Sequence, residues 1–140
     1  MSSNMQYRVF DVVGEDFVLK LCKPRGFEPI DPPAERHGSW EWILHKRANE
    51  LDRFVCLAFT SLPKSVPDGA WYVVEVSAGA EKNDRYTRKT VSDFRANASK
   101  NYRDELQSAL KEPLTQAMSL AESLRPTDLT EAYPLPRSRQ

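Results

Sequence analysis

Two carboxylates near the middle of the chain are the side chains best suited to catalysis. Asp68 follows a proline, and Glu75 lies inside the run 71–77, which reads Trp-Tyr-Val-Val-Glu-Val-Ser. Two carboxylates that share a magnesium ion can activate water for attack on a phosphodiester. One hypothesis for this sequence is therefore a Mg²⁺-dependent site on Asp68 and Glu75, with Lys82 as the nearest downstream lysine.

These fragments, Pro-Asp at 67–68 and Val-Glu-Val at 74–76, resemble parts of the PD-(D/E)xK nuclease pattern. The resemblance implies metal binding by both carboxylates and a lysine two residues after the second one. Ser77 occupies that lysine position, so Lys82 or Lys89 would have to reach the site through the fold. We therefore favour an ordinary strand carboxylate at position 75 and keep the nuclease as an alternative.

A basic segment with interspersed aromatic residues supports a second alternative, nucleic-acid binding. Residues 81–103 contain seven Lys or Arg and three Asp or Glu. Arg85, Arg88 and Lys89 would contact backbone phosphates if they share one open face, and Tyr86 would stack on bases. No zinc-finger spacing or glycine-rich phosphate loop accompanies this segment. A solvated strand with scattered charges is the simpler interpretation.

Nucleophilic and metal chemistry have fewer candidates. His37 and His45 are the only histidines, and no Cys-x-x-Cys or His-x-x-x-His spacing occurs. Cys22 and Cys56 lie in apolar runs, where burial raises the thiol pKa and suppresses the thiolate. We therefore predict no metal and no cofactor, and a Cys56–His45 dyad is the weakest hypothesis.

The overall composition is typical of one soluble domain without a strong electrostatic preference. The chain has 140 residues, with 20 Lys+Arg and 20 Asp+Glu. Its apolar runs reach about six residues, against the ~20 that span a bilayer. Residues 1–6 show no secretory signal pattern, and we predict a cytoplasmic protein without a membrane partner.

Our leading hypothesis is a non-enzymatic protein-binding module, such as an adaptor, accessory protein, chaperone or inhibitor. The proline-containing segments 27–33 and 125–140 are the kind of extended chain that docks on partners. Trp40 and Trp42 would contact a partner if both are exposed, and otherwise belong to the core. The expected partner is another protein or a second copy of this chain. The candidate contact residues are Trp40, Trp42, Arg85, Tyr86, Arg88, Lys89 and Tyr133.

The hydrophobic pattern that would position these residues predicts an α+β fold. We expect a mainly antiparallel sheet of about five or six strands packed against a kinked C-terminal helix. Residues 39–46 alternate between two faces and 54–59 is apolar throughout, which predicts a hairpin. The run 71–77 predicts a central strand covered on both faces, and 85–91 a more exposed one. Residues 79–84 are predicted to form a turn.

The C-terminal third has a helical period. Apolar residues from Tyr102 to Leu124 recur every three or four positions, which predicts one helix that Pro113 kinks near Ala109. Two helices, the second opening at Pro113, are the alternative. The predicted domain spans 1–124, and 125–140 is predicted to be an extended tail.

The N-terminal third is less regular. Residues 7–13 and 17–21 predict two strands, with a single helix as the alternative because some apolar residues also match helical spacing. Residues 23–38 contain four prolines and predict an irregular surface loop.

Overall fold

One antiparallel sheet and two helices form the part of the chain that the structure, a computed structural model, describes: residues 15–30, 34–36, 39–61, 72–96 and 102–132. In chain order the elements are α1 (Glu15–Cys22), a 3-10 turn (Lys23–Arg25), β1 (Glu28–Pro29), β2 (Ala34–Arg36), β3 (Ser39–Ala48), β4 (Leu51–Ser61), β5 (Tyr72–Lys82), β6 (Arg85–Ala96), α2 (Tyr102–Ser123), a second 3-10 turn (Pro126–Asp128) and β7 (Glu131–Ala132). The sheet order is β1-β3-β4-β5-β6-β7, with β2 also pairing with β3. The predicted α+β class, an antiparallel sheet against a C-terminal helix, is confirmed.

The predicted hairpin is formed by β3 and β4. Its ladder runs from Ser39 opposite Thr60 to Ala48 opposite Leu51. The two turn residues that follow Ala48 have φ angles of 52° and 68°. A two-residue turn with both φ angles positive matches the twist of the flanking strands, which is why such turns close hairpins.

Both described helices pack on the same face of the sheet, which we call the helix face. Side chains alternate between faces along a strand, and most residues directed to the helix face in the middle of the sheet are buried and apolar. They share one cluster with α2 and with Val18 and Cys22 of α1. Fully burying each large side chain stabilises the fold by about 1.5–3 kcal/mol. The cluster includes Trp42, Leu44, Val55, Leu57, Phe59, Val74, Val76, Leu106, Leu110, Leu114, Ala117, Met118 and Ala121.

Helix α2 is continuous through Pro113, as the unbroken apolar period predicts. Its C-terminal end is held by Arg53 of β4, which is 2% exposed. Arg53 Nη1 donates hydrogen bonds to the carbonyl oxygens of Ala121, at 2.5 Å, and Leu124, at 2.8 Å. A cation that satisfies the last carbonyls of a helix also complements the helix dipole. The same arginine Nε donates to Ala48 O at 3.1 Å and so ties the hairpin to the helix.

The strand predicted at 17–21 is wrong, because this segment belongs to α1. Val18 and Cys22 lie one helical turn apart, and both are fully buried against the C-terminal helix and the sheet. This packing outweighs the strand preference of Val18, which is a weak local effect. The strand predicted at 7–13 lies outside the described residues.

Two predicted irregular segments also contain regular structure. Within 23–38 the chain forms a 3-10 turn and two short strands, and Phe27 is fully buried beneath Lys46, whose Nζ lies 5.4 Å from the ring centroid. The turn predicted at 79–84 is confined to Asn83 and Asp84, because β5 continues to Lys82. The strand predicted at 85–91 extends to Ala96.

After α2 the chain returns to the sheet over its last described residues. Leu129 is buried in a small cluster with Leu51, Ala80 and Leu124. Just beyond it, β7 pairs with β6, Glu131 opposite Tyr86 and Ala132 opposite Arg85. No helix in the described parts of the chain is both long and apolar enough to cross a membrane.

Candidate binding groove

The second face of the sheet, which we call the groove face, carries the candidate site. The residues on it alternate with the core residues in β3, β4, β5 and β6, and the cross-strand registers place them in rows. One row runs Glu41, Ala58, Glu75, Asp93. The next runs Ile43, Cys56, Ser77, Thr90. A third runs His45, Phe54, Gly79, Arg88.

A half-open groove of about 380 Å³ crosses these rows. Ile43 and Phe54 form its apolar wall together with Ile30, which lies between β1 and β2. The amide of Ile30 donates a hydrogen bond to Ile43 O at 3.2 Å, and this bond fixes the loop against β3. Ile30 is 49% exposed, the one large hydrophobic side chain exposed to this extent among the described residues.

Small residues make the floor of the groove. Cys56, Ser77 and Gly79 are all buried, although neither described helix covers them. The larger side chains that surround them in the groove shield them from solvent. Gly79 cannot be replaced by a larger residue at this backbone spacing. A Cβ atom there would lie 2.4 Å from the carbonyl oxygen of Thr87 on β6.

Arg88 supplies the polar wall. Its Nε donates to Ser77 Oγ at 3.2 Å, and its Nη2 lies 3.8 Å from Glu75 Oε1. Both charged side chains are about half exposed. Glu75 also lies directly opposite Asp93 in the β5–β6 ladder, and like charges in such pairs destabilise a sheet. The arginine therefore offsets a local acidic excess.

The thiol of Cys56 is not prepared for nucleophilic attack. Burial, only partly opposed by Arg88, raises its pKa to about 11, so the thiol stays protonated at neutral pH. His45 lies on the same face, but its Nε2 lies 2.9 Å from Asp52 Oδ1 and its ring packs on Phe54, with centroids 5.3 Å apart. The Cys56–His45 dyad is therefore not formed.

The structure does not bring together Glu75 and Lys82, the two residues of the nuclease hypothesis that it describes. Glu75 and Lys82 lie on opposite faces of β5, because they are seven positions apart in a regular strand, where residues an odd number of positions apart face opposite sides. Lys82 Nζ instead lies 3.3 Å from Glu50 Oε2 at the hairpin end. Asp68 lies outside the described residues. Within the described ranges, no three His, Cys, Asp or Glu side chains are close enough to hold a metal ion.

The three basic residues of the nucleic-acid hypothesis do not share a face either. Arg85 and Lys89 pair with Lys82 and Ala78, which are directed to the helix face, whereas Arg88 pairs with Gly79 on the groove face. Arg85 Nη1 reaches Thr130 O at 3.5 Å. Tyr86 lies on the groove face beside Arg88 and lines the groove.

Trp40 and Trp42 belong to the helix face. Trp42 is 1% exposed in the core, and Trp40 packs against the same cluster while partly buried. Trp42 therefore has no surface to offer a partner, which agrees with the core interpretation. Tyr133 lies outside the described residues.

Sequence reasoning did not identify the groove walls, Ile30, Ile43 and Phe54. A signal was present at Ile43, an isoleucine between Glu41 and His45 on the polar side of an alternating strand. An apolar side chain on that side is a candidate for a surface patch. Neither Ile30, in a proline-rich loop, nor Phe54, in a wholly apolar run, carries such a signal.

No protein-family model, curated protein or solved structure matches this chain. The function proposed below therefore depends on the geometry of the groove face.

Proposed function

We propose that this protein is a non-enzymatic binding module that receives a short segment of a partner protein in the groove. The main support is the apolar wall of Ile30, Ile43 and Phe54 beside a floor of small residues. This wall stands on the face that the described helices leave uncovered. An apolar surface bordered by polar groups is typical of an interaction site.

The size of the groove favours a few side chains over a whole folded surface. About 380 Å³ is near the lower limit of ordinary ligand pockets, and the groove opens along the sheet. A peptide segment can insert one or two apolar side chains against Ile43 and Phe54 and leave its backbone at the rim. Exposed Ile30 would lose water contact on binding, which is the source of the affinity.

Charge indicates the chemistry of the partner segment. Glu41 and Glu81 line the groove with Arg88, and Glu75 lies beside that arginine. Three carboxylates and one guanidinium make the formal charge of the site negative. A segment that combines apolar residues with a lysine or arginine therefore complements the groove better than an acidic one.

The state of the polar groups is consistent with binding rather than covalent chemistry. Ser77 Oγ accepts a hydrogen bond from Arg88, a cation that cannot take up a proton. The neighbouring Cys56 thiol is protonated, since its pKa is raised to about 11. Arg88, Ser77 and Cys56 therefore offer polar contacts to a bound segment, and neither Ser77 nor Cys56 is activated as a nucleophile.

Selection from a random peptide library displayed on phage tests the proposal. Selected sequences are expected to combine apolar with basic residues, and the synthetic peptides should bind more weakly as salt is raised. Ile30→Glu should weaken binding by about tenfold or more, because the loss of half-exposed apolar surface from the wall outweighs the weak attraction of one more exposed carboxylate for a basic segment. Fluorescence anisotropy of the labelled peptide measures the affinity.

Thr115→Glu is the matched control, since Thr115 is exposed on α2, away from the groove. It should bind the selected peptides as the wild type does. Peptides that bind equally well to the wild type and to Ile30→Glu, or a selection without any enrichment, would contradict the proposal.

A further inference from the structure

The two edges of the sheet are finished differently. At one edge, β3 is paired by β1 at Leu44 and His45 and by β2 from Ser39 to Glu41. At the other edge, β7 pairs only with Arg85 and Tyr86 of β6. Among the described residues, no strand pairs with the outer side of β6 from position 87 onward. A strand edge of this length offers a row of backbone donors and acceptors to another strand.

We propose that this edge of β6 pairs with the same edge of a second copy of the chain. The two strands run antiparallel about a twofold axis, and residues 87–94 of each copy form the shared ladder. Position 87 is the first beyond β7, which already occupies the edge at the two preceding residues.

A β-bulge restricts the register of this pairing. Val76 pairs with Ser92 and Ser77 pairs with Thr90, so Val91 is an extra residue in β6. Before the bulge, even-numbered residues such as Arg88 are directed to the groove face, and after it odd-numbered residues such as Asp93 are. Directly opposed residues must share a face, so a ladder that crosses the bulge must pair an even position before it with an odd position after it, and an odd position before it with an even position after it.

Charge selects one of the allowed registers. If Thr87 lies opposite Phe94 of the second copy, Arg88 lies opposite Asp93, and the twofold axis repeats this pair. A shift by two residues would place Arg88 opposite Arg95 instead. The first register makes two opposite-charge pairs and the second makes two like-charge pairs, and cross-strand pairs of these kinds stabilise and destabilise a sheet, respectively.

Apolar side chains near the twofold axis also favour this register. Val91 and Phe94 are partly buried hydrophobic side chains packed against the core, at the open edge of the sheet. In the proposed dimer the axis passes between Thr90 and the extra residue Val91, the one pair that does not share a face, and Phe94 lies opposite Thr87 of the second copy. The hydrophobic cluster of each copy thereby continues towards the other.

The dimer has a consequence for binding, which depends on the proposed function. A twofold axis perpendicular to the sheet keeps both groove faces on one side. Two grooves would then face a partner together, and a partner with two suitable segments would gain effective concentration at the second site.

Sedimentation velocity across a range of concentrations tests the dimer. The wild type should show a monomer–dimer equilibrium. Arg88→Asp and Asp93→Arg each turn two attractive pairs into two repulsive ones, so each should raise the dimer dissociation constant by about tenfold or more. An equimolar mixture of the two variants should form a heterodimer, because every 88–93 pair is again of opposite charge.

The double variant Arg88→Asp/Asp93→Arg should dimerise as the wild type does, and Lys111→Asp, on the exposed side of α2, should leave the dimer unchanged. A wild type that stays monomeric at all concentrations would overturn the proposal, as would a mixture that fails to associate when both variants are shown to be folded by circular dichroism. A dimer lost in Ile30→Glu but kept in Arg88→Asp would place the contact in the groove instead. Because peptide binding is measured separately, each proposal can fail alone.

Discussion

The two faces of the sheet are made from alternate residues of the same four strands, yet they have opposite chemistry. In the middle of the helix face most side chains are apolar, and α1 and α2 bury them. On the groove face small residues form a floor between a wall of Ile43 and Phe54 and the charged side chains of Arg88 and Glu75. The first face stabilises the fold, and the second leaves surface for a partner.

Neighbouring valines in β5 give the sharpest test of this difference. Val74 is fully buried on the helix face, whereas Val73 is only partly buried on the other. Val74→Asp should cost about 3–5 kcal/mol or unfold the domain, because it places an unpaired charge in the core. Val73→Asp should cost under ~1 kcal/mol. Urea unfolding followed by circular dichroism compares the two, and equal losses would mean that the faces do not differ as described.

A substitution that leaves a cavity beneath α2 measures how much the packing of this helix on the helix face contributes to stability. Leu110 is fully buried, and Leu110→Ala should lower the free energy of unfolding by about 2–5 kcal/mol. Leu120 is only partly buried, so Leu120→Ala should cost less. A Leu110→Ala loss well below 1 kcal/mol would show that α2 does not pack on the sheet.

A larger side chain at Gly79, in the groove floor, should destabilise the protein, although no described helix covers this face. Gly79→Ala brings a methyl group against Thr87 O, so β5 and β6 must separate, at a cost of about 1–3 kcal/mol. Thr90→Ala, an exposed change on the same face, should be nearly neutral. Thermal melting of both variants measures the difference, and an unchanged melting temperature for Gly79→Ala would refute the close approach.

Acid should lower the free energy of unfolding through two carboxylates, Glu122 beside the helix face and Asp52 at the hairpin end. Hydrogen bonds from Arg25 and Lys46 lower the pKa of Glu122 beside the helix face, and hydrogen bonding to His45 and Arg47 lowers that of Asp52 at the hairpin end. A carboxyl group whose pKa is lowered in the folded state binds its proton at a higher pH in the unfolded state than in the folded state. Stability is therefore complete above the ordinary carboxyl range and decreases as pH falls below about 4.

Glu122→Gln and Asp52→Asn should each flatten this acid dependence, by a small amount because both side chains are about one-third exposed. Unfolding midpoints between pH 3 and pH 7 report it. A variant whose midpoint falls with acid as steeply as that of the wild type would rule out a contribution from its carboxylate.

The sequence predicted a helix or strand correctly where its apolar residues recur on one face of that element. Alternation from Trp40 to Leu44 predicted β3, and the stripe through Leu106, Leu110 and Leu114 predicted α2 despite Pro113. The pattern was ambiguous at α1, where Val18 favours a strand locally. Only its contact with the C-terminal helix, distant in sequence, decides the outcome.

The groove was harder to predict because no continuous segment contains it. Ile30, Phe54 and Arg88 come from three separate parts of the chain, and their meeting depends on cross-strand register. The bulge at Val91 changes which β6 residues share a face, and nothing in the local sequence marks it. Gly79, which suggested a turn, is instead required inside a strand by the close approach of Thr87.

The most direct test of the central claim is an amide chemical-shift map recorded while a selected peptide is titrated into the labelled protein. A partner in the groove should shift the amides of Ile30, Ile43, Cys56 and Arg88 and leave exposed helix positions such as Thr115 and Ser119 unchanged. Shifts concentrated along α2, with the groove residues unaffected, would contradict the account.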